Sequence, residues 1–449
     1  MRARSMIRTA AVALVAVSAL ALTACGNSGG VGGATAAPQS SAGGKATLNY
    51  WTWFPAEATL KKAIAAYQTA NPNVTINLRE FQNADYQKQL PLALNGGEKL
   101  DIVGVQVSAM TNSVNTQLLP VSEWESNLSS GWRDQIESKP LEQAQSSSKD
   151  KVLYQIPLGS IGSAVMYFNP ALLEKAGVQQ VPTTLDELVA ASAAIKKTEP
   201  GVQPVVFASD PWWQEEMLFT IAGQTDPSLS DDILYKGKAW NDPALVRALE
   251  NYKKLFTSGA VDKSTLSLKS PRPSELFTSG KAAFYFDGSW QNSLLSKAYR
   301  EANKIDLADV GAAGIPVVES GGVPAMRAFA EGGLAIPKSS TNAAEAAKFI
   351  EFMTIGEGVQ YWAPDLVLSP AKKGFVPSDE VLASPVAKDG FAAVAKLINS
   401  AGSNRDSNQD FLNSVEGNAI LDVLNGKTTA QAAADEMQKQ WTSGRYPHS

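Results

Sequence analysis

Thr47-Leu48-Asn49-Tyr50-Trp51-Thr52 carries the alternation of a half-buried β-strand. From Ala58 onward, Leu60, Ala63, Ile64 and Tyr67 recur at helical spacing, and Asn71-Pro72-Asn73 stops the helix. Val74-Thr75-Ile76-Asn77-Leu78 reads as a second strand. Asp85 opens a second helix that ends at Asn95-Gly96-Gly97, and Asp101-Ile102-Val103-Gly104-Val105 is a third strand. This strand-helix-strand-helix-strand order predicts a parallel sheet with helices on both faces. Ligands of such sheets bind outside the carboxyl ends of the strands. Attention therefore falls on Trp53-Phe54 and on Gln106-Val107-Ser108, just past the first and third strands.

The pattern then restarts. Ala164-Val165-Met166-Tyr167-Phe168 is a strand, and Asn169-Pro170 begins a helix that Gly177 terminates. Thr184-Leu185-Asp186-Glu187 fits a capping box ahead of an Ala-rich helix. Val205-Val206-Phe207 leads into Asp210-Pro211-Trp212-Trp213. Asn241-Asp242-Pro243 places a proline in the first turn of another helix. Ala282-Ala283-Phe284-Tyr285-Phe286 ends in Asp287-Gly288-Ser289-Trp290. Two α/β units in series imply two lobes.

Ahead of the first strand, Arg2, Arg4 and Arg8 precede an apolar run from Ala10 to Leu22. That run is short of the about 20 residues a membrane span requires, so it reads as a signal peptide over 1–24. It closes on Leu22-Thr23-Ala24-Cys25-Gly26, which resembles the bacterial lipobox, and Cys25 is the only cysteine in the chain. The resemblance implies cleavage before Cys25, lipidation of its thiol, and a protein held on the outer face of the cell membrane. Residues 25–44 are Gly-, Ser- and Ala-rich and read as a flexible tether. With no second cysteine, stability rests on the core rather than on internal disulfides.

Of 449 residues, 44% are hydrophobic, enough for sizeable cores. Removing the three leader arginines leaves 36 bases against 44 acids, a net charge near −8. No basic patch stands out, which argues against a nucleic-acid partner. The one histidine, His448, sits at the chain end, so Ser-His-Asp, Cys-His and multi-histidine metal sites are excluded. Gly426-Lys427-Thr428 lacks the upstream glycine of a phosphate loop, because that position is Leu421. No cofactor and no metal are expected. A secreted glycosidase needs only two carboxylates, and composition leaves that reading open.

A run of short motifs in register resembles the family 1 extracellular solute-binding proteins, the maltose-binding-protein group. They are Tyr154-Gln155-Ile156-Pro157, Met166-Tyr167-Phe168-Asn169-Pro170, Leu172-Leu173-Glu174-Lys175-Ala176-Gly177, Pro182-Thr183-Thr184-Leu185-Asp186-Glu187-Leu188 and Phe277-Thr278-Ser279-Gly280-Lys281-Ala282-Ala283. Gly288-Ser289-Trp290, Gly314-Ile315-Pro316, Gly332-Gly333 and Glu345-Ala346-Ala347-Lys348-Phe349-Ile350 follow. Leu185 departs from the tryptophan usual there. The resemblance implies a two-lobe, periplasmic-binding-protein-like (type II) α/β fold that closes on ligand in the cleft between the lobes. It assigns 45–157 with 309–338 to one lobe and 158–308 with 339–449 to the other. Crossings are expected near Ile156–Ser160, Gly311–Pro316 and Ile336–Ser339. It further implies a monomer that binds a sugar or oligosaccharide and delivers it to the permease of an ABC importer. A non-sugar solute such as a polyamine, a phosphodiester or a metal chelate remains an alternative.

A sugar ring offers an apolar C–H face and a rim of hydroxyls, so aromatic and carboxylate side chains are its natural contacts. Trp290 and Trp212 match family aromatics, with Asp210 near the second. Trp53, Phe54 and Glu57 follow the first strand, although Glu57 would equally favour the positive end of the next helix. Arg327 offers a forked donor, and Ser108, Ser160, Asp287 and Gly332 join these as candidate ligand contacts. Trp124, Trp132, Trp240, Trp362 and Trp441 read as packing residues, with Trp362 and Arg405 left open as further cleft residues.

Overall fold

Strand β1 (Ala46–Thr52) buries Leu48, Tyr50 and Thr52 at every second position, and helix Glu57–Ala70 covers it with Leu60, Ala63, Ile64 and Tyr67. The computed structural model describes residues 45–401 and 411–446; the leader, the tether with Cys25, and Arg405 lie outside them. The other strands are β2 (Val74–Glu80), β3 (Ile102–Gln106), β4 (Ile156–Ser163), β5 (Val165–Phe168), β6 (Gln203–Val206), β7 (Ala282–Asp287), β8 (Gly311–Gly314), β9 (Arg327–Ala335) and β10 (Ser369–Pro370).

Two sheets result. The first runs β10-β4-β9-β3-β1-β2 and the second β6-β7-β5-β8. β1 pairs in parallel with β2 and β3, as the opening strand-helix pattern requires. β9 then pairs antiparallel with both β3 and β4, making the sheet mixed. Local sequence signals act as expected in the second lobe. The Asn169 side chain accepts from the amides of Ala171 and Leu172, Thr184 and Glu187 close a capping box, and Asp242 accepts from Ala244. Helix Pro211–Gly223 buries Trp213 to Gln214, Glu215, and Met217 through Ala222, so it runs through the lobe rather than over it.

The lobe boundaries differ from the sequence-based assignment. β8 lies in the second sheet, paired with β5, and Gly390 of helix Pro385–Ser400 packs on it so closely that a Cβ would lie 2.6 Å from the Ala312 amide nitrogen. Helix Ala343–Thr354 belongs to the first lobe: Phe349 packs edge-on against Tyr50 at 5.9 Å and against Tyr67 at 5.0 Å. The chain stays there through β10 and Ala371. Residues 411–446 pack in the second lobe through Phe411, Ile420, Val423 and Met437.

Among the described residues the chain thus changes lobes at three places. β4 continues into β5 at Ser163–Ala164, residues 315–326 lead from β8 back to β9, and 371–384 lead from β10 to helix Pro385–Ser400. Ile156–Ser160 is interior strand, a few residues short of the passage. Ile336–Ser339 never leaves the first lobe, where Pro337 bridges to Leu118 and the Lys338 amide donates to Gln117. At the first passage Thr220 accepts from the Ala164 amide and donates to the Ser163 carbonyl, tying helix Pro211–Gly223 to the crossing.

Candidate ligand-binding cleft

A cavity of about 430 Å³ opens where the two lobes face each other. Its first-lobe wall begins with Trp53 and Phe54, which leave the carboxyl end of β1, and Gln106, the last residue of β3. Asn83 and Gln87 come from one face of helix Asn83–Asn95. Arg327, Phe329 and Glu331 alternate along β9, so one strand face supplies all three. The second-lobe wall is Trp212, Glu215 and Glu216 from helix Pro211–Gly223, together with Trp290 and Leu412.

Each aromatic is held by a specific local feature. The Trp53 ring lies on strand backbone between Gly104 and Gly332, where a Cβ would approach the ring to 3.2 and 2.9 Å respectively. Tyr86 packs against the same ring at 5.4 Å, and its hydroxyl is anchored to the carbonyls of Trp51 and Gly104. On the other wall, Trp290 lies 6.1 Å from Trp212 and 6.2 Å, edge-on, from buried Trp213. The Trp290 ring folds back over Gly288, where a Cβ would land inside the ring. Trp290 also packs against the cores of both lobes.

The polar groups fall into two sets. Gln106 donates to Glu331 at 2.6 Å within the first lobe. Arg327 pairs across the lobes with Glu215 at 2.5 Å and Glu216 at 3.5 Å. The Arg327 and Glu215 side chains are each 1% exposed, and the guanidinium also lies over the Phe219 and Phe329 rings. Arg327 is therefore committed to protein carboxylates at the floor of the cleft, a different role from the open forked donor expected of it.

Of the sequence-based candidates, Trp53, Phe54, Trp212, Trp290 and Arg327 border the cavity. Gly332 lies one layer beneath, in a small pocket under Trp53 and Phe54, and acts by making room for the ring. The rest are elsewhere. Asp210 precedes its helix and accepts from the Ser270 amide, with Lys269 at 3.9 Å. Glu57 sits in the first turn of its helix, exposed and paired with Lys61. Ser108 is buried with φ of 68° at the start of helix Ala109–Val114, and Ser160 is buried on β4 opposite Ser369. Asp287 stands behind Trp290, accepting from Tyr285, the Gly288 amide and Gln291. Burial raises its carboxyl to about 6. Trp124, Trp240 and Trp362 are buried; Trp362 donates to the Met353 carbonyl and backs the Phe54 ring edge-on at 6.4 Å.

The acidic lining escaped the sequence reading. Glu215 and Glu216 follow Trp212 by one helical turn and so share its face. Glu331 follows Arg327 at strand period. Gln106 lies in the segment past the third strand to which the sequence points, two residues before the candidate Ser108. Among the described residues no cluster of three or more His, Cys, Asp or Glu is placed to hold a metal ion, and no helix is long and apolar enough to cross a membrane.

Several solved structures share the whole architecture. A probable secreted solute-binding lipoprotein from Streptomyces coelicolor superposes with a TM-score of 0.71 at 17% identity, over 88% of this chain and 98% of its own. A protein of xylan utilization from Caldanaerobius polysaccharolyticus gives 0.69 at 21%, over 88% and 99%. The GacH receptor of Streptomyces glaucescens, known both unliganded and with acarbose, gives 0.65 at 21%, over 90% and 100%. These likenesses show the two-lobe type II periplasmic-binding-protein-like fold. No curated protein sequence matches the chain. The family model of the bacterial extracellular solute-binding proteins matches residues 51–355, more than half the chain, and the protein belongs to that family.

Proposed function

We propose that the cleft holds a sugar or oligosaccharide and that the protein hands it to the permease of an ABC importer while tethered to the outer face of the cell membrane through lipid on Cys25. The observation that carries this reading is the pairing of aromatic walls: Trp53 and Phe54 on one lobe face Trp212 and Trp290 on the other across one cavity. Rings on two sides suit the flat apolar faces of pyranoses. Gln106, Asn83, Gln87, Glu216 and Glu331 supply acceptors and donors for a hydroxyl rim. Structural neighbours include a chitin oligosaccharide binding protein, the protein of xylan utilization and a receptor complexed with acarbose, which supports a saccharide here.

The carboxylates beside the tryptophans favour one alternative, a cationic solute such as a polyamine, since an amine gains from both an acid and an aromatic face. Calorimetry with xylo-, malto- and chito-oligosaccharides alongside spermidine separates the two. Saturable heat with a saccharide and none with spermidine is the expected result. Binding of spermidine alone, or of none of the saccharides, would replace the sugar reading. Turnover of a chromogenic glycoside would replace binding with catalysis.

A further inference from the structure

Behind Trp290 lies a polar cluster whose parts all converge on one turn. Asp287 ends β7, and its carboxylate Oδ1 accepts from the Gly288 amide at 2.8 Å. Its Oδ2 accepts from Gln291 Nε2 at 3.1 Å and from the Tyr285 hydroxyl, and the nearby Trp290 side chain favours the ionised form. The Tyr167 hydroxyl grips the far side of the same turn, reaching the Gly288 carbonyl at 3.0 Å and Asn292 Oδ1 at 2.8 Å. Gly288 and Gln291 are therefore both fixed relative to one carboxylate, and Trp290 lies between them in the turn. The Trp290 ring, folded back over Gly288, can keep its place only while that turn keeps its shape.

We propose that Asp287 is a positioning residue: it fixes the Trp290 ring at the cleft wall through the Gly288–Gln291 turn, and it acts on ligand only through that ring. The inference rests on the cleft being the ligand site, but the arrangement it describes exists without ligand. The carboxylate form is the competent one, because an anionic acceptor can serve donors at both oxygens. Protonation at Oδ2 removes the charge and makes that oxygen a donor, so the Tyr285 hydroxyl must turn round to accept, the charge-assisted bond from Gln291 weakens, and the turn loosens. The titratable groups facing Asp287 are Tyr285 on its own strand and Tyr167 on β5, both held neutral by burial; no charged side chain among the described residues shifts it. Desolvation dominates and brings its titration to about pH 6, within reach of mild acidification.

Fluorine NMR of the whole folded protein labelled with fluorotryptophan tests this without ligand, the Trp290 resonance being identified by its loss in Trp290→Phe. The expected result is a Trp290 shift that titrates with a midpoint near 6. In Asp287→Asn that titration is absent while the Trp124 and Trp240 resonances stay in place. A Trp290 resonance that ignores pH in the unsubstituted protein overturns the proposal, even should the variant not fold. So does an unchanged titration in Asp287→Asn. A merely structural carboxylate would disturb all ten tryptophans together. Failure of the sugar reading would appear separately, in the calorimetric panel.

Discussion

Arg327, the first residue of β9, reaches Glu215 of the opposite lobe at 2.5 Å, with both side chains essentially removed from solvent. Removing the guanidinium would take from Glu215 and Glu216 the cation with which both pair. Breaking a buried pair by deleting one partner costs about 3–5 kcal/mol. Arg327→Met is expected to lower the urea midpoint accordingly, and Arg327→Met with Glu215→Met to recover much of the loss. A single variant as stable as the parent would mean that the pair is solvated in solution.

Trp290 and Trp213 touch, yet they should fail differently. Trp213 is fully buried, and Trp213→Ala is expected to remove about 3–5 kcal/mol of folding stability. Trp290 presents part of its ring to the cavity. Trp290→Ala is expected to weaken binding of the best saccharide in the panel by about 1.5–3 kcal/mol, roughly ten- to a hundredfold, with the smaller change in melting. Melting and calorimetry on the same two preparations decide it. Equal collapse of both would make Trp290 a packing residue.

What the sequence revealed here follows from how directly each feature is encoded. Trp53, Phe54 and Gln106 sit immediately after apolar strands, and the parallel-sheet rule places such residues at a cleft. Asp210 and Ser108 occupy the same kind of position, but adjacency does not say which way a side chain turns: Asp210 turns to Ser270 and Ser108 turns inward. Glu215 and Glu216 were hidden because their helix is apolar nearly all round, leaving no polar face to mark them. The lobe boundaries were misassigned after Gly311 for a related reason. β8 spans only Gly311–Gly314, and the stripe of helix Ala343–Thr354 would suit either core; its tertiary contacts, Phe349 against Tyr50 and Tyr67 among them, settle its place.

Gly332 offers a test of the first-lobe wall that removes no polar side chain. A Cβ there would lie 2.9 Å from the Trp53 ring and 3.1 Å from the Val105 carbonyl. Gly332→Ala should therefore tilt Trp53 away from β9 and weaken saccharide binding several-fold, while Gly201→Ala, at an exposed turn away from the cleft where a Cβ meets nothing within 4 Å, should not. Unaltered affinity in Gly332→Ala would show that the Trp53 ring position is immaterial.

The proposed anchoring rests on Cys25, which lies outside the described residues. Cys25→Ala in the expressing cell is expected to yield protein that is unprocessed or shed into the medium. One acyl chain binds a membrane only marginally, so stable retention implies more than one lipid chain on the parent. Normal processing and retention of the Cys25→Ala protein would refute the lipoprotein assignment.

Asp287 should also leave a signature in stability, opposite in direction to its signature in positioning. Burial raises its folded-state titration to about 6, from an ordinary value of 3.8. The native state then holds the proton more tightly than the unfolded chain. The resulting stabilisation is complete below the unfolded value and is lost as pH rises through about 6. A shift of this size corresponds to about 3 kcal/mol. Asp287→Asn cannot titrate, so the stability difference between variant and parent should move in the variant's favour between acid and neutral pH. Urea unfolding of both proteins across that range measures it. A difference independent of pH would show that the Asp287 carboxyl is hydrated in solution. If the difference does move, neutral protein carries an ionised carboxylate that its own stability disfavours. Such a cost is typical of groups retained for a site rather than for the fold, and here the site is the ring of Trp290.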